Sequence, residues 1–252
     1  MKKLALNIGI NVYSPAIYGT GSNLKGCLND CTYMNSLAKD NGFTSTTLKD
    51  KSATKSALLS WIRNAVSETN SGDFIYMSQS SHGTRTTMKG KEVNGICMYD
   101  GILWDFELKA ELIKIKKGVN VIWATDTCFS ENNFRFAFAP EGQIKYLDYG
   151  ALKGITLPKS VQWVGVDDFK CNFIQYASST AFQVSYDLGS GGLFTESLKK
   201  AVRINPAGNY YKIFQETEKA MATSGYPQTP RFIVINGNDV LPKGLTYNKF
   251  LN

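Results

Sequence analysis

Cys128 and His82 are the two residues whose types and positions could do chemistry together. A thiol beside an imidazole can become a thiolate near neutral pH and attack a carbonyl carbon. His82 is the only histidine in the chain, so any imidazole acid–base work falls to it. Each residue closes an apolar run. Val119, Val121, Ile122, Trp123 and Ala124 lead into Asp126, Thr127, Cys128 and Ser130. Phe74, Ile75, Tyr76 and Met77 lead into Ser80, Ser81, His82 and Gly83. Such runs read as strands buried on both faces. In an open parallel sheet, functional groups gather past the carboxyl ends of the strands. Taken singly, a free Cys is most often a small buried hydrophobe, and a lone His most often surface or satisfied core. It is the pair at two strand ends that points to a nucleophile and its base.

The elements that must position them follow from periodicity. Leu4 to Val12 is strand-like, and Tyr13 to Ser22 is a loop. Leu24, Cys27, Leu28, Cys31, Met34, Leu37 and Ala38 form a helical stripe ended by Asn41-Gly42. Phe43 to Leu48 is a second strand. Ser52 or Thr54 caps a helix carrying Leu58, Trp61, Ile62 and Val66. The histidine strand follows. Residues 84 to 104 read as loop, Asp105 to Ile115 as helix, and then comes the cysteine strand. Residues 131 to 160 show no period, Val161 to Val166 could be a short strand, and Phe173 to Ala177 is a better one. Leu193 to Val202 and Tyr210 to Met221 are helical, and Phe232 to Ile235 is a last strand. Strand–helix alternation predicts an α/β fold, a mostly parallel central sheet with helices on both faces, in a single domain spanning 1–252.

The motifs resemble those of the caspase–metacaspase superfamily. Ser80-Ser-His-Gly83 resembles its histidine motif, and Asp126-Thr-Cys-Phe-Ser130 the metacaspase Asp-Cys-Cys-His-Ser motif. The Cys lies 46 residues after the His, close to the about 50 of caspases. Ala5–Asn11, Leu24-Lys-Gly-Cys-Leu-Asn-Asp30, Gly191-Gly-Leu-Phe-Thr-Glu-Ser-Leu198 and Gln228-Thr-Pro230 resemble further family segments, in order. The resemblance implies the caspase–haemoglobinase fold and a cysteine endopeptidase working through a thioester. It implies an oxyanion site at the N–H groups of Gly83 and Cys128. It implies a pocket for arginine or lysine at Cys27, Asp30, Ser80 and Asp126, because a desolvated guanidinium needs a carboxylate. The caspase Gln-Ala-Cys motif is absent, which favours basic over aspartyl substrates. Trp104-Asp-Phe-Glu-Leu108 resembles the calcium segment Asp-Asp-Glu-Leu with one aspartate lost, and Arg135 stands near another ligand position. Neither calcium activation of the familiar kind nor any other cofactor is expected.

A long aperiodic segment leaving the cysteine strand could reach the pocket. Self-cleavage is therefore expected within 131 to 160, after Arg135, Lys145, Lys153 or Lys159. The alternative is an ordered loop that packs Phe134, Phe136, Phe138 and Tyr146. The rival to an enzyme is an inactive binding or scaffold module of the same fold. A nucleotide-binding reading fails, since no Gly-x-Gly-x-x-Gly opens a helix after the first strand.

Composition narrows the partners. The net charge of +7 is spread without a long basic run, which argues against nucleic acid. No apolar run is long enough for a bilayer. Met1-Lys-Lys opens a strand rather than a signal peptide, since Asn7 and Asn11 interrupt the apolar stretch. Five scattered cysteines suit a reducing cytoplasm rather than a disulfide framework. A monomer acting on a protein or peptide substrate is the expectation.

Overall fold

The computed structural model describes residues 1–128, 143–154, 166–179, 183–235 and 250–251. In chain order the elements begin with β1 (Lys3–Gly9), the single turn α1 (Pro15–Tyr18), α2 (Cys27–Asp40), β2 (Thr44–Lys49), α3 (Lys55–Glu68) and β3 (Phe74–Ser80). Next come β4 (Gly83–Met88), β5 (Lys91–Met98), β6 (Gly101–Trp104), α4 (Asp105–Leu112) and β7 (Asn120–Asp126). The later part holds the short β8 (Gln143–Ile144), β9 (Asn172–Ala177), the short β10 (Tyr186–Asp187), α5 (Leu193–Ile204), α6 (Tyr210–Ala222) and β11 (Arg231–Ile235).

Six strands form the central sheet in the order β11-β9-β7-β3-β1-β2. All neighbours run parallel except β11, which is antiparallel to β9. Period-two alternation sends each strand's residues to two faces. Ala5, Tyr76, Ile122, Ala124, Ile174 and Tyr176 pack with Met34 of α2, Phe194 and Leu198 of α5 and Ile213 of α6. Leu6, Ile8, Ile75, Met77, Val121 and Trp123 pack with Leu58 and Ile62 of α3 and Leu108 and Leu112 of α4. Covering both faces is why these strands read as continuous apolar runs. Local signals start the helices. The Thr54 side chain accepts from the Ala57 N–H at the head of α3, and Asn209 does the same for Lys212 at α6.

Residues 84–104 are not a loop. β4, β5 and β6 form a separate three-stranded antiparallel sheet. Its first turn is Lys89-Gly90, both with positive φ (50° and 76°), the geometry of a two-residue type I′ hairpin. Within 131–160, residues 143–154 hold β8 and a 3₁₀ turn at Tyr149–Ala151. The expected strand at Val161 to Val166 lies outside the described residues, save Val166, which opens another 3₁₀ turn.

The register decides where the chemistry falls. Ser80 pairs with Asp126 across β3 and β7, and Ser80 also pairs with Gly9 of β1. His82 and Cys128 each follow that pair by two residues, so both leave the sheet at one edge. β1 is followed on one side by β2 and on the other by β3. The site thus sits beside the point where strand order reverses, the usual place for a ligand in an open α/β sheet.

Candidate active site

His82 is 2% exposed and is held on two sides. Its Nε2 lies 2.8 Å from the Ser22 carbonyl oxygen, and its backbone N–H donates to Tyr13 Oη at 2.7 Å. The Tyr13 ring packs against the imidazole with centroids 5.1 Å apart. A carbonyl only accepts, so Nε2 carries the hydrogen and Nδ1 holds the lone pair. Nδ1 has no hydrogen-bond partner. Cys128 is also buried, and its Sγ accepts from the Ser185 N–H at 3.1 Å. The Thr127 carbonyl before it accepts from the hydroxyls of Ser178 and Ser185. Gln228 ties down both of those serines. Gly83 lets the two strand ends meet, because a Cβ there would strike the Cys128 carbonyl oxygen.

In this state both groups are neutral. Burial brings the His82 imidazole down to about 4, against the raising pull of the Ser22 and Lys145 backbones. Burial holds the Cys128 thiol well above its ordinary value, outweighing the Ser185 N–H and the Lys145 charge. Burial therefore disfavours a thiolate–imidazolium pair while the site stays closed.

Cys27, Asp30, Ser80 and Asp126 converge on one buried point. Its centre is occupied by Lys145, whose side chain is fully buried. The ammonium lies 2.8 Å from Ser80 Oγ, 3.1 Å from Asp126 Oδ1, 3.3 Å from the Asp126 carbonyl and 3.5 Å from Asp30 Oδ2. Ser80 Oγ donates in turn to Asp30 Oδ2 at 2.6 Å. Two buried carboxylates side by side need more than one cation, and the head of α5 supplies the rest. The Gly192 N–H donates to Asp30, and the Thr195 N–H and Oγ1 donate to Asp126 Oδ2. Anions at a helix N-terminus are stabilised by its free N–H groups and dipole. Burial opposes the Lys145 charge, but Asp126 and Asp30 prevail and raise its pKa above the ordinary lysine value. Asp30 is pushed up to about 6 by burial, with Lys145 opposing and Asp126 adding.

The backbone around Lys145 is equally fixed. Its N–H donates to the Ser185 carbonyl, and its own carbonyl accepts from the Gly83 N–H, both at 2.9 Å. β8 pairs antiparallel with β10 on the N-terminal side, and the Leu147 N–H returns to the Gly83 carbonyl on the other. An extended segment therefore crosses the strand ends with a basic side chain in an acidic pocket. Its carbonyl oxygen sits on the N–H where an oxyanion was expected. The chain itself thus fills both the acidic pocket and the Gly83 N–H.

Of the four residues proposed for self-cleavage, Arg135 and Lys159 lie outside the described residues, as do Phe134, Phe136 and Phe138. Lys153 is exposed on the surface. Sequence reasoning named Lys145 only as one of four and missed Ser22, Ser185 and Asp187. The Asp187 carboxylate accepts from the N–H groups of Lys25 and Gly26 and so sets the start of α2, and with it Asp30. Thr195 and Gly192 were noted only as part of a helix start. At the segment resembling a calcium site, Glu107 pairs with Lys55 at 2.7 Å and Asp105 with Lys109 at 3.3 Å. The Asp100 carboxylate accepts from the Lys55 N–H. These carboxylates are turned to lysines and backbone and do not fit a calcium cradle.

The mostly parallel sheet of this α/β fold brings a His and a Cys to the ends of two adjacent strands. The family model for the caspase domain matches residues 2–237, and the chain belongs to that family. No curated protein matches the sequence. Among solved structures, protein GSU0716 from Geobacter sulfurreducens is similar at 25% identity, with a TM-score of 0.82 and 98% of each chain covered. Caspase-1 from Spodoptera frugiperda shares the fold at 13% identity and a TM-score of 0.61, over 92% of this chain and 86% of that one. No described helix is long and apolar enough to cross a membrane.

Proposed function

We propose that this protein is a cysteine endopeptidase that cuts after basic residues, with Cys128 as nucleophile and His82 as acid and base, and that it cuts itself after Lys145. The observation that carries the reading is the seating of Lys145, side chain in the acidic pocket and carbonyl on Gly83. Once solvent reaches the site, Cys128 gives its proton to His82 Nδ1 and the sulfur attacks the carbonyl carbon. The oxyanion rests on the Gly83 N–H. Collapse breaks the C–N bond, and His82 returns the proton to the leaving amine. Water then attacks the thioester, giving a proton to His82; the C–S bond breaks to free the acid, and His82 returns that proton to the Cys128 sulfur. Ser22 holds the imidazole in the tautomer this requires.

The segment through Lys145 also shuts the site, since a protein substrate needs the pocket that Lys145 fills. The neutral, buried Cys and His favour one second reading, a closed module that never turns over. A peptide chloromethyl ketone with lysine at its reactive end, which loses chloride as the sulfur bonds to it, separates the two. Applied to Lys145→Ala protein, whose pocket is vacated, it should add its remaining mass at Cys128. Absence of labelling in folded protein whose Cys128 iodoacetamide does reach would support the inactive module instead.

A further inference from the structure

We infer that the pocket selects lysine over arginine. This deepens the proposed function and rests on reading Lys145 as a residue seated in substrate fashion. A lysine ammonium is a compact charge with three donors, whereas arginine carries a longer, planar fork of five. The acceptors here suit the compact charge. Ser80 Oγ, the Asp126 carbonyl and Asp30 Oδ2 accept at 2.8, 3.3 and 3.5 Å, and Asp126 Oδ1 adds an ion pair at 3.1 Å, so oxygens of β3, β7 and α2 meet at one point. They come from three different elements rather than from the edge of one carboxylate.

The room for anything longer is missing in two directions. Along the strands from Ser80 to Ser78 and from Asp126 to Ala124, the gap that Met34 and Phe194 help to line holds no space for a water molecule. To the side, the Gly192 backbone presses so close that even a Cβ there would collide with Lys145 Nζ and Asp126 Oδ2. The carboxylates cannot swing away freely either. Asp30 is held by Ser80 and the Gly192 N–H, and Asp126 by Thr195 through two bonds. A guanidinium could enter only by breaking those bonds or displacing the head of α5.

The chain offers its own test. Self-cleavage is followed by intact mass in wild-type protein and in Lys145→Arg. In parallel, Cys128→Ala and Cys128→Ala/Lys145→Arg are melted. The expectation is that Lys145→Arg slows cutting after residue 145 by about tenfold or more, and that the double variant melts below Cys128→Ala. Equal or faster cutting with arginine, or an unchanged or higher melting temperature, would overturn lysine selection. If wild-type protein is never cut, the peptidase reading fails by itself, and the melting comparison alone decides the selectivity.

Discussion

His82 Nδ1 is a buried lone pair without a partner, and that has a measurable consequence away from catalysis. The imidazole titrates at about 4 in the folded protein against an ordinary 6.5. A depressed pKa contributes stability above 6.5 that is lost as pH falls through 4, because the unfolded chain takes the proton first. The loss amounts to about 3 kcal/mol. Asp30 works in the other direction, since its pKa is raised to about 6 and its contribution is present at low pH and lost on going up through 6. The two overlap, so the clean readout is a difference. Stability measured from pH 7 to 4 should fall more steeply for wild type than for His82→Gln, by that amount. Parallel curves would mean the folded imidazole accepts a proton normally. At this scale periodicity alone put His82 and Cys128 at neighbouring strand ends, whereas Asp30 and Asp126 were singled out only by the family resemblance. Ser22 and Ser185 act through backbone groups, which no side-chain pattern announces.

At the scale of elements, the segment from Gln143 to Leu147 acts as a plug. It is held by backbone bonds on both flanks and by the Lys145 side chain, whose removal would leave Asp30 and Asp126 without their buried cation. Breaking a buried pair by removing one partner costs about 3–5 kcal/mol. Lys145→Ala should therefore loosen the plug and raise the alkylation rate of Cys128 by iodoacetamide well above that of intact, uncut protein. Equal rates would mean that the backbone bonds alone keep the thiol covered. The main strands and helices could be read from periodicity because each buries a regular face. The β4–β6 sheet could not. Its hairpin turn is Lys89-Gly90, not the Asn-Gly that signals such turns most strongly. Gly95 looked like a loop residue but sits inside β5, where a side chain would collide with Ile102 and crowd the Trp104 ring. That glycine makes room for packing. β8 and β10, two residues each, are too short to carry any period.

At the scale of the molecule, a cut between Lys145 and Tyr146 would divide the sheet without freeing either half. The first piece supplies β1, β2, β3 and β7, and the second supplies β9 and β11. β7 and β9 pair over six residues, and Ile122 and Ala124 share one core with Tyr176, Phe194 and Leu198. Phe194 is fully buried, and truncating such a residue typically costs about 3–5 kcal/mol. The two pieces should co-elute at the volume of the uncut chain and part only in denaturant. Separation in native buffer would show that the peptide link, not the sheet, holds them. The fold class was legible because β–α alternation leaves few arrangements, and the caspase-type motifs fell in order along it. What the sequence did not show was occupancy. Nothing in composition distinguishes a lysine on a surface loop from one whose ammonium lies among Asp30, Ser80 and Asp126, since that depends on register across 115 residues.

The most direct measurement is intact-mass analysis of wild-type and Cys128→Ala protein after long incubation under conditions that loosen the plug. Wild type should yield two fragments, one ending at Lys145 and one beginning at Tyr146, and Cys128→Ala should yield none. Fragments with other ends, identical fragments from both proteins, or a wild-type chain that stays whole would contradict self-cleavage at the seated lysine.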